Sequence, residues 1–333
     1  MFSHMKHRRR KPERPVVSRP IQGRRLIPEE EVRKDAWQRQ SLLQWSHPEL
    51  TPNQLWMLGL AREKVHNPGE VGELAPLENY LERINRIYRT NYDSSDAEAI
   101  REYIAQAPVT INMKLGAGNP LLIESYRSYW ESPGRMEDEG IYAKARRKFE
   151  GRIGFQSALS NERSDRNPSE MPRYAALNIA HSPNGGVPSG AYGHSYWVLK
   201  EEVKGRSTMC SGDSLIYGGH PNVPTGDIDS VLALSSTLNT VLFRICFAQA
   251  TGGGKDKMDL SAQNVHRNLT DYVDDQFIEV QVAGAVTLSD VAEVVIDATV
   301  PEYREIIEAH ETYRRTHGLD FKIRSYHPLR GCN

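Results

Sequence analysis

The chain of 333 residues has no run of about 18 apolar residues, which excludes a membrane-spanning helix. Its three cysteines, Cys210, Cys246 and Cys332, are widely spaced, and none belongs to a Cys-x-x-Cys pair. A disulfide framework and a cysteine-rich zinc site are therefore excluded. His181, His194, His220 and His266 share no i, i+4 spacing and have no acidic companion of the His-Glu-x-x-His kind, so no metal is expected. No Gly-x-Ser-x-Gly elbow occurs, and Gly212-Asp213-Ser214 reads as a turn. Thr251-Gly252-Gly253-Gly254-Lys255-Asp256 has Gln249 and Asp256 where a phosphate loop needs Gly and Ser or Thr, so it reads as a flexible loop. The net charge of −1 gives no polycation seeking nucleic acid. No repeat of about 20 to 50 residues is visible.

What is present is an ordinary globular composition, 38% hydrophobic and 26% charged, with one asymmetry. Residues 1 to 25 carry nine Lys or Arg against one acid, Glu13, with prolines at 12, 15 and 20. Such a tail has too little apolar surface to offset the entropy of ordering, so residues 1–34 are expected to be disordered. The segment lacks the apolar stretch of a secretory signal. A solvated tail, an arm for nucleic acid or a membrane surface, and an export signal of another kind all remain open.

Residues 35–107 read as a helical region and residues 108–333 as a mixed α+β domain. Thr51-Pro52-Asn53-Gln54 is a capping box with proline at the first helical position. Ser95-Asp96-Ala97-Glu98 reads as a second box, and Leu77, Leu81, Ile84 and Ile87 form one helical stripe between them. Val109–Met113, Arg173–Ile179, Ser195–Leu199, Ile278–Val282 and Val291–Ile296 have strand character, 140–155 is helical, and 230–248 reads as a buried helix.

Three strands carry polar groups that a core strand would not tolerate without a reason. Arg173 opens an apolar strand, so its charge needs an anion: a bound phosphate, or a local acid such as Glu170 or Glu162. Gly190-Ala191-Tyr192-Gly193-His194-Ser195-Tyr196 offers a backbone that approaches a ligand closely, two rings for stacking and a hydroxyl; it also fits a hairpin turn before an aromatic strand. Alternation places Glu279 on one face with Phe277 and Gln281, and Ile278, Val280 and Val282 on the other. A carboxylate there can steady positive charge developing at a sugar carbon, or it can belong to an exposed polar face.

Arg, then Ser and Tyr, then Glu, each on its own strand, is the order found in ADP-ribosyltransferases. Residues from about 140 to 331 resemble a bacterial family of unknown function placed in that group. The resemblance runs through Arg173-Tyr174-Ala175-Ala176-Leu177-Asn178, Gly193-His194-Ser195-Tyr196, Gly212-Asp213-Ser214, Phe277-Ile278-Glu279-Val280-Gln281, Gly318-Leu319 and His327-Pro328. Ala175, His194, Tyr196 and Ala283 depart from the family pattern.

The resemblance implies a split sheet whose two short antiparallel halves grip NAD. It implies that Arg173 and Glu279 are catalytic, with Arg173 holding phosphate or ribose and Glu279 stabilising the transition state. It further implies that Tyr174, Tyr192, His194, Ser195, Tyr196 and Gln281 contact the cofactor. The acceptor would be a side chain of a host protein, for example a threonine of ubiquitin, as in the CteC-like effectors. The protein would then be secreted by a bacterium and act in the host cytoplasm. An inactive binding module and an NAD glycohydrolase toxin are the alternatives.

Overall fold

A computed structural model describes residues 49–66, 77–115, 125–135, 139–152, 167–187, 192–211, 223–224, 246–252 and 277–327. The expectations for the basic tail, Gly190 and Ala191, the Gly212-Asp213-Ser214 turn, Glu162, the glycine loop beyond Gly252 and most of segment 230–248 concern residues outside these.

Alternating apolar and polar residues build the centre of the molecule. Ten strands are described: β1 (Val109–Met113), β2 (Ser125–Tyr126), β3 (Arg173–Leu177), β4 (Ser195–Leu199), β5 (Ser207–Ser211), β6 (Val223–Pro224), β7 (Ile278–Val282), β8 (Val286–Thr287), β9 (Val291–Asp297) and β10 (Lys322–Tyr326). Eight of them form one sheet in the order β10-β9-β4-β1-β3-β7-β5-β6, and β2 pairs with β8 in a second, two-stranded sheet. All neighbours in the large sheet are antiparallel except β9 and β10. The molecule is therefore α+β. The described strands make one continuous sheet with a small satellite, where the resemblance implied two short facing halves.

The two faces of the large sheet differ in chemistry because side chains alternate along each strand. Ile111, Leu177, Trp197, Ile278, Val280, Val282 and Val294 point to one face and form the main core. Each such side chain contributes roughly 1.5–3 kcal/mol on burial. Thr110, Asn112, Tyr174, Tyr196, Thr208, Glu279 and Gln281 alternate with them and share the other face.

The helices are α1 (Pro52–His66), α2 (Leu77–Tyr88), α3 (Ser94–Ala105), α4 (Ile141–Arg152) and α5 (Tyr303–His317). The capping box at Thr51 is present: the Gln54 amide donates to Thr51 Oγ1 at 3.2 Å, and the Thr51 amide donates to Gln54 Oε1 at 3.0 Å. The second box begins two residues earlier than expected, with Asp93 as N-cap and Asp96 as its reciprocal partner. An aspartate carboxylate accepts from two amides there, those of Ser95 and Asp96, which a serine at position 95 could not do while itself inside the helix.

Leu77, Leu81, Ile84, Ile100 and Ile104 lie in the same core as the strands, so residues 77–107 pack as one unit with the sheet. Helix α1 packs on β5 and β6. The sequence signals no helix over Tyr303–His317, where the structure has α5. It joins β9 to β10 as the crossover that their parallel pairing requires.

Gly193 leads into β4 at φ +85, and a Cβ there would collide with the Met113 carbonyl oxygen. Gly193→Ala is therefore expected to cost about 1–3 kcal/mol or more in urea unfolding. Gly134→Ala, also at positive φ but in open space, isolates the strain contribution. Equal losses in the two variants would show that the close approach to Met113 is unimportant.

Candidate active site

The polar face of the sheet carries a cavity of about 800 Å³. Its floor is built from three adjacent strands: Thr110 and Asn112 of β1, Tyr174 of β3 and Glu279 of β7. One wall is the segment around β2, including Tyr126, Arg127, Ser128 and Tyr129. Tyr142 and Arg146 enter from α4, and Val187, Tyr192 and Phe277 close the remaining side. The floor also anchors that side. Asn112 Nδ2 donates to the carbonyls of Asn184 at 2.8 Å and Gly193 at 3.2 Å, and the Gly186 amide donates to Thr110 Oγ1 at 2.8 Å.

Buried charges meet at this floor. Glu279 is only 4% exposed, and its Oε1 accepts from Gln281 Nε2 at 2.9 Å. Gln281 Oε1 in turn accepts from Thr208 Oγ1 at 3.1 Å. Glu150 of α4 is fully buried; it accepts from the Tyr174 hydroxyl at 2.6 Å and from Trp130 Nε1 at 2.7 Å. The Arg146 guanidinium lies 3.9 Å from the Tyr174 ring centroid, and its Nη2 donates to the Tyr142 hydroxyl at 3.0 Å.

Burial pushes the Glu150 carboxyl up to about 7, against the opposing pull of Arg146 and of the bonds from Tyr174 and Trp130. Burial likewise raises the Tyr174 phenol well above its ordinary value. For Arg146 burial works toward deprotonation, but Tyr174, Glu279, Tyr142 and Glu150 together outweigh it and hold the charge more firmly than usual.

Of the residues singled out from the sequence, Tyr174, Tyr192 and Glu279 line this cavity, and Gln281 supports Glu279 from its own strand. Arg173 does not line it. Its Nη1 donates to the carbonyls of Ser169 at 2.6 Å and Met171 at 2.9 Å, its Nε to that of Tyr126 at 3.3 Å, and its Nη2 pairs with Glu131 at 2.9 Å. Arg173 thus ties the β2 wall to β3. Its acidic partner is Glu131, while Glu170 instead accepts from Thr51 and Asn53 of the α1 cap.

Ser195, Tyr196 and His194 also lie outside the cavity lining. Ser195 Oγ accepts from the Asp297 amide at 3.0 Å, and the Tyr196 hydroxyl donates to the Pro183 carbonyl at 3.0 Å. Arg146, Glu150, Trp130, Asn112 and the β2 wall were not read from the sequence. Two signals pointed to them: Tyr126-Arg127-Ser128-Tyr129-Trp130 is an unusually dense aromatic run, and Arg146 and Glu150 stand at i, i+4 on one helix face.

Among the described residues, no group of three or more His, Cys, Asp or Glu is placed to hold a metal ion, and no helix is long and apolar enough to cross a membrane.

The protein is an α+β fold whose mostly antiparallel sheet carries an aromatic cavity over a buried carboxylate. Residues 132–324 match the model of a family described as protein of unknown function DUF3626, and the chain belongs to that family. No curated protein matches the chain.

A carboxyl raised by folding binds its proton more tightly in the folded than in the unfolded state. Its stabilising contribution is complete below the ordinary carboxylate range and is lost as pH rises through about 7. Thermal unfolding measured between about pH 5 and 8 should show wild-type Tm falling relative to that of Glu150→Gln as pH rises. Parallel Tm profiles would mean that Glu150 ionises in the folded protein as it does in the unfolded chain.

Proposed function

We propose that this protein is a mono-ADP-ribosyltransferase that takes ADP-ribose from NAD and places it on a side chain of a host protein. The observation that carries the reading is Glu279, buried on the floor of a cavity lined by Tyr174 and Tyr192. The ordered motifs around Arg173, Ser195 and Glu279 give the second support.

In this reading nicotinamide leaves with the glycosidic bond electrons, and the Glu279 carboxylate stabilises the oxocarbenium-like ribose that results. The rings of Tyr129, Tyr142 and Tyr192 offer planar faces to nicotinamide or adenine. Arg127 lines the wall beside Ser125 and Ser128 and would offer its guanidinium to a phosphate. Arg173 acts through the wall that it holds in place. The proposed core is the ADP-ribosyltransferase type in an unsplit form. The proposed setting is a secreted bacterial effector acting in the host cytoplasm, with a threonine of ubiquitin as the first acceptor to test.

One observation favours a second reading. Ser195 and Tyr196 are occupied by protein groups outside the cavity, which suits a binding module that has given up catalysis.

Intact-mass analysis of ubiquitin and of labelled host lysate, after incubation with protein and NAD, separates these readings. Glu279→Ala should lower transfer by at least about 100-fold without unfolding the protein. Transfer that survives this change removes Glu279 from its role. NAD consumed with only free ADP-ribose formed identifies a glycohydrolase, and NAD bound but left intact identifies the module.

A further inference from the structure

Glu279 and Tyr174 are neighbours on one face of the sheet: Ala176 pairs with Glu279, and Tyr174 pairs with Gln281. The Arg146 guanidinium carbon stands 3.9 Å from the Tyr174 ring centroid, and Arg146 lines the same cavity as Glu279. It stands one helical turn from Glu150, whose carboxylate accepts from the same Tyr174, and shares the cavity with Glu279, so its charge bears on both buried carboxylates. Both oxygens of Glu150 accept from other side chains, so that carboxylate is fixed in place beneath Tyr174. An ionised carboxylate as buried as Glu279 is costly without a cation nearby.

We infer that Arg146 is the positioning residue that keeps Glu279 ionised, and that Glu150 competes with Glu279 for the same guanidinium charge.

The groups that surround Glu279 are consistent with this division. Arg146 and Tyr142 of α4, Tyr174 of β3 and Tyr126 of β2 line the same cavity as Glu279, Glu150 interacts with it electrostatically from α4, and Ala176 and Cys210 are its register partners on β3 and β5. The rings of Tyr174 and Tyr142 restrain the guanidinium on two sides, which holds its charge near the carboxylates without requiring a long, mobile side chain to find them. When Glu150 holds a proton, Arg146 serves Glu279 alone. When Glu150 is ionised, the charge is shared, and Glu279 holds a proton more readily. The consequence for catalysis rests on the transferase reading, but the ionisation itself does not.

The test is carboxyl carbon NMR of the full chain labelled at glutamate, with the Glu279 signal assigned by its loss in Glu279→Gln. Arg146→Met should raise the Glu279 titration midpoint by more than about one pH unit, a tenfold change in proton affinity. Arg146→Lys, which keeps the charge, should restore most of that shift. Glu150→Gln should lower the midpoint, because it removes the competing anion while its amide can still bond both Tyr174 and Trp130.

An unchanged midpoint in folded Arg146→Met overturns the inference. If Arg146→Met fails to fold, an unchanged or raised midpoint in Glu150→Gln overturns it instead. The titration needs neither NAD nor turnover. Midpoints that move as stated in a protein that transfers nothing would sink the transferase reading and leave this inference standing. Transfer by a protein whose midpoints stay fixed would do the reverse.

Discussion

Charge that is buried must be paired, and the interior of this protein is arranged around that requirement. Arg173, Arg146, Glu150 and Glu279 are all nearly inaccessible to water. Each is costly to hold in an apolar interior, so each has drawn other elements toward it. Arg173 gathers three backbone carbonyls and Glu131, and in doing so holds the β2 wall beside β3. Arg206 does comparable work elsewhere, donating to the carbonyls of Ala283 and Ala285 and pairing with Asp290.

The sheet separates two kinds of stability. Its apolar face, packed under α2 and α3, supplies the non-directional burial that drives folding. Its polar face supplies a connected set of directional bonds: Thr208 to Gln281 to Glu279, and Trp130 and Tyr174 to Glu150. Such networks stabilise little in net terms, but they define one geometry, since an unmet partner inside the protein is penalised heavily. That uniqueness holds the Glu279 carboxylate in one position on the cavity floor.

Arg173 and Arg146 are both buried, yet they differ in what lies around them. Around Arg173 the partners are mostly carbonyl oxygens, which accept hydrogen bonds without changing charge, so the group is a fixed structural cation. Around Arg146 stand the rings of Tyr142 and Tyr174, and the buried Glu150 carboxyl one helical turn away is raised to about 7. That surrounding can change its charge within the physiological range. The proposed chemistry accordingly centres on Arg146 and Glu279, with Arg173 supporting the frame.

Much of the fold was legible because it is written in local periodicity. Strand alternation put Glu279 and Gln281 on the face opposite Ile278 and Val280, and the structure has that arrangement. The Thr51 capping box and the stripe of Leu77, Leu81 and Ile84 were equally readable, since each depends on residues three or four apart. Helix α5 is less legible although its spacing is local, because it lies between the strand segments β9 and β10. The partner of Arg173, the roles of Arg146 and Glu150, and the withdrawal of Ser195 and Tyr196 from the cavity belong to the tertiary structure alone. The sequence by itself determines which face of a strand a side chain occupies, because that depends on adjacent peptide geometry. Which carboxylate, ring or carbonyl then meets it depends on strand order, which brings β7 beside β3 and sets α4 above both.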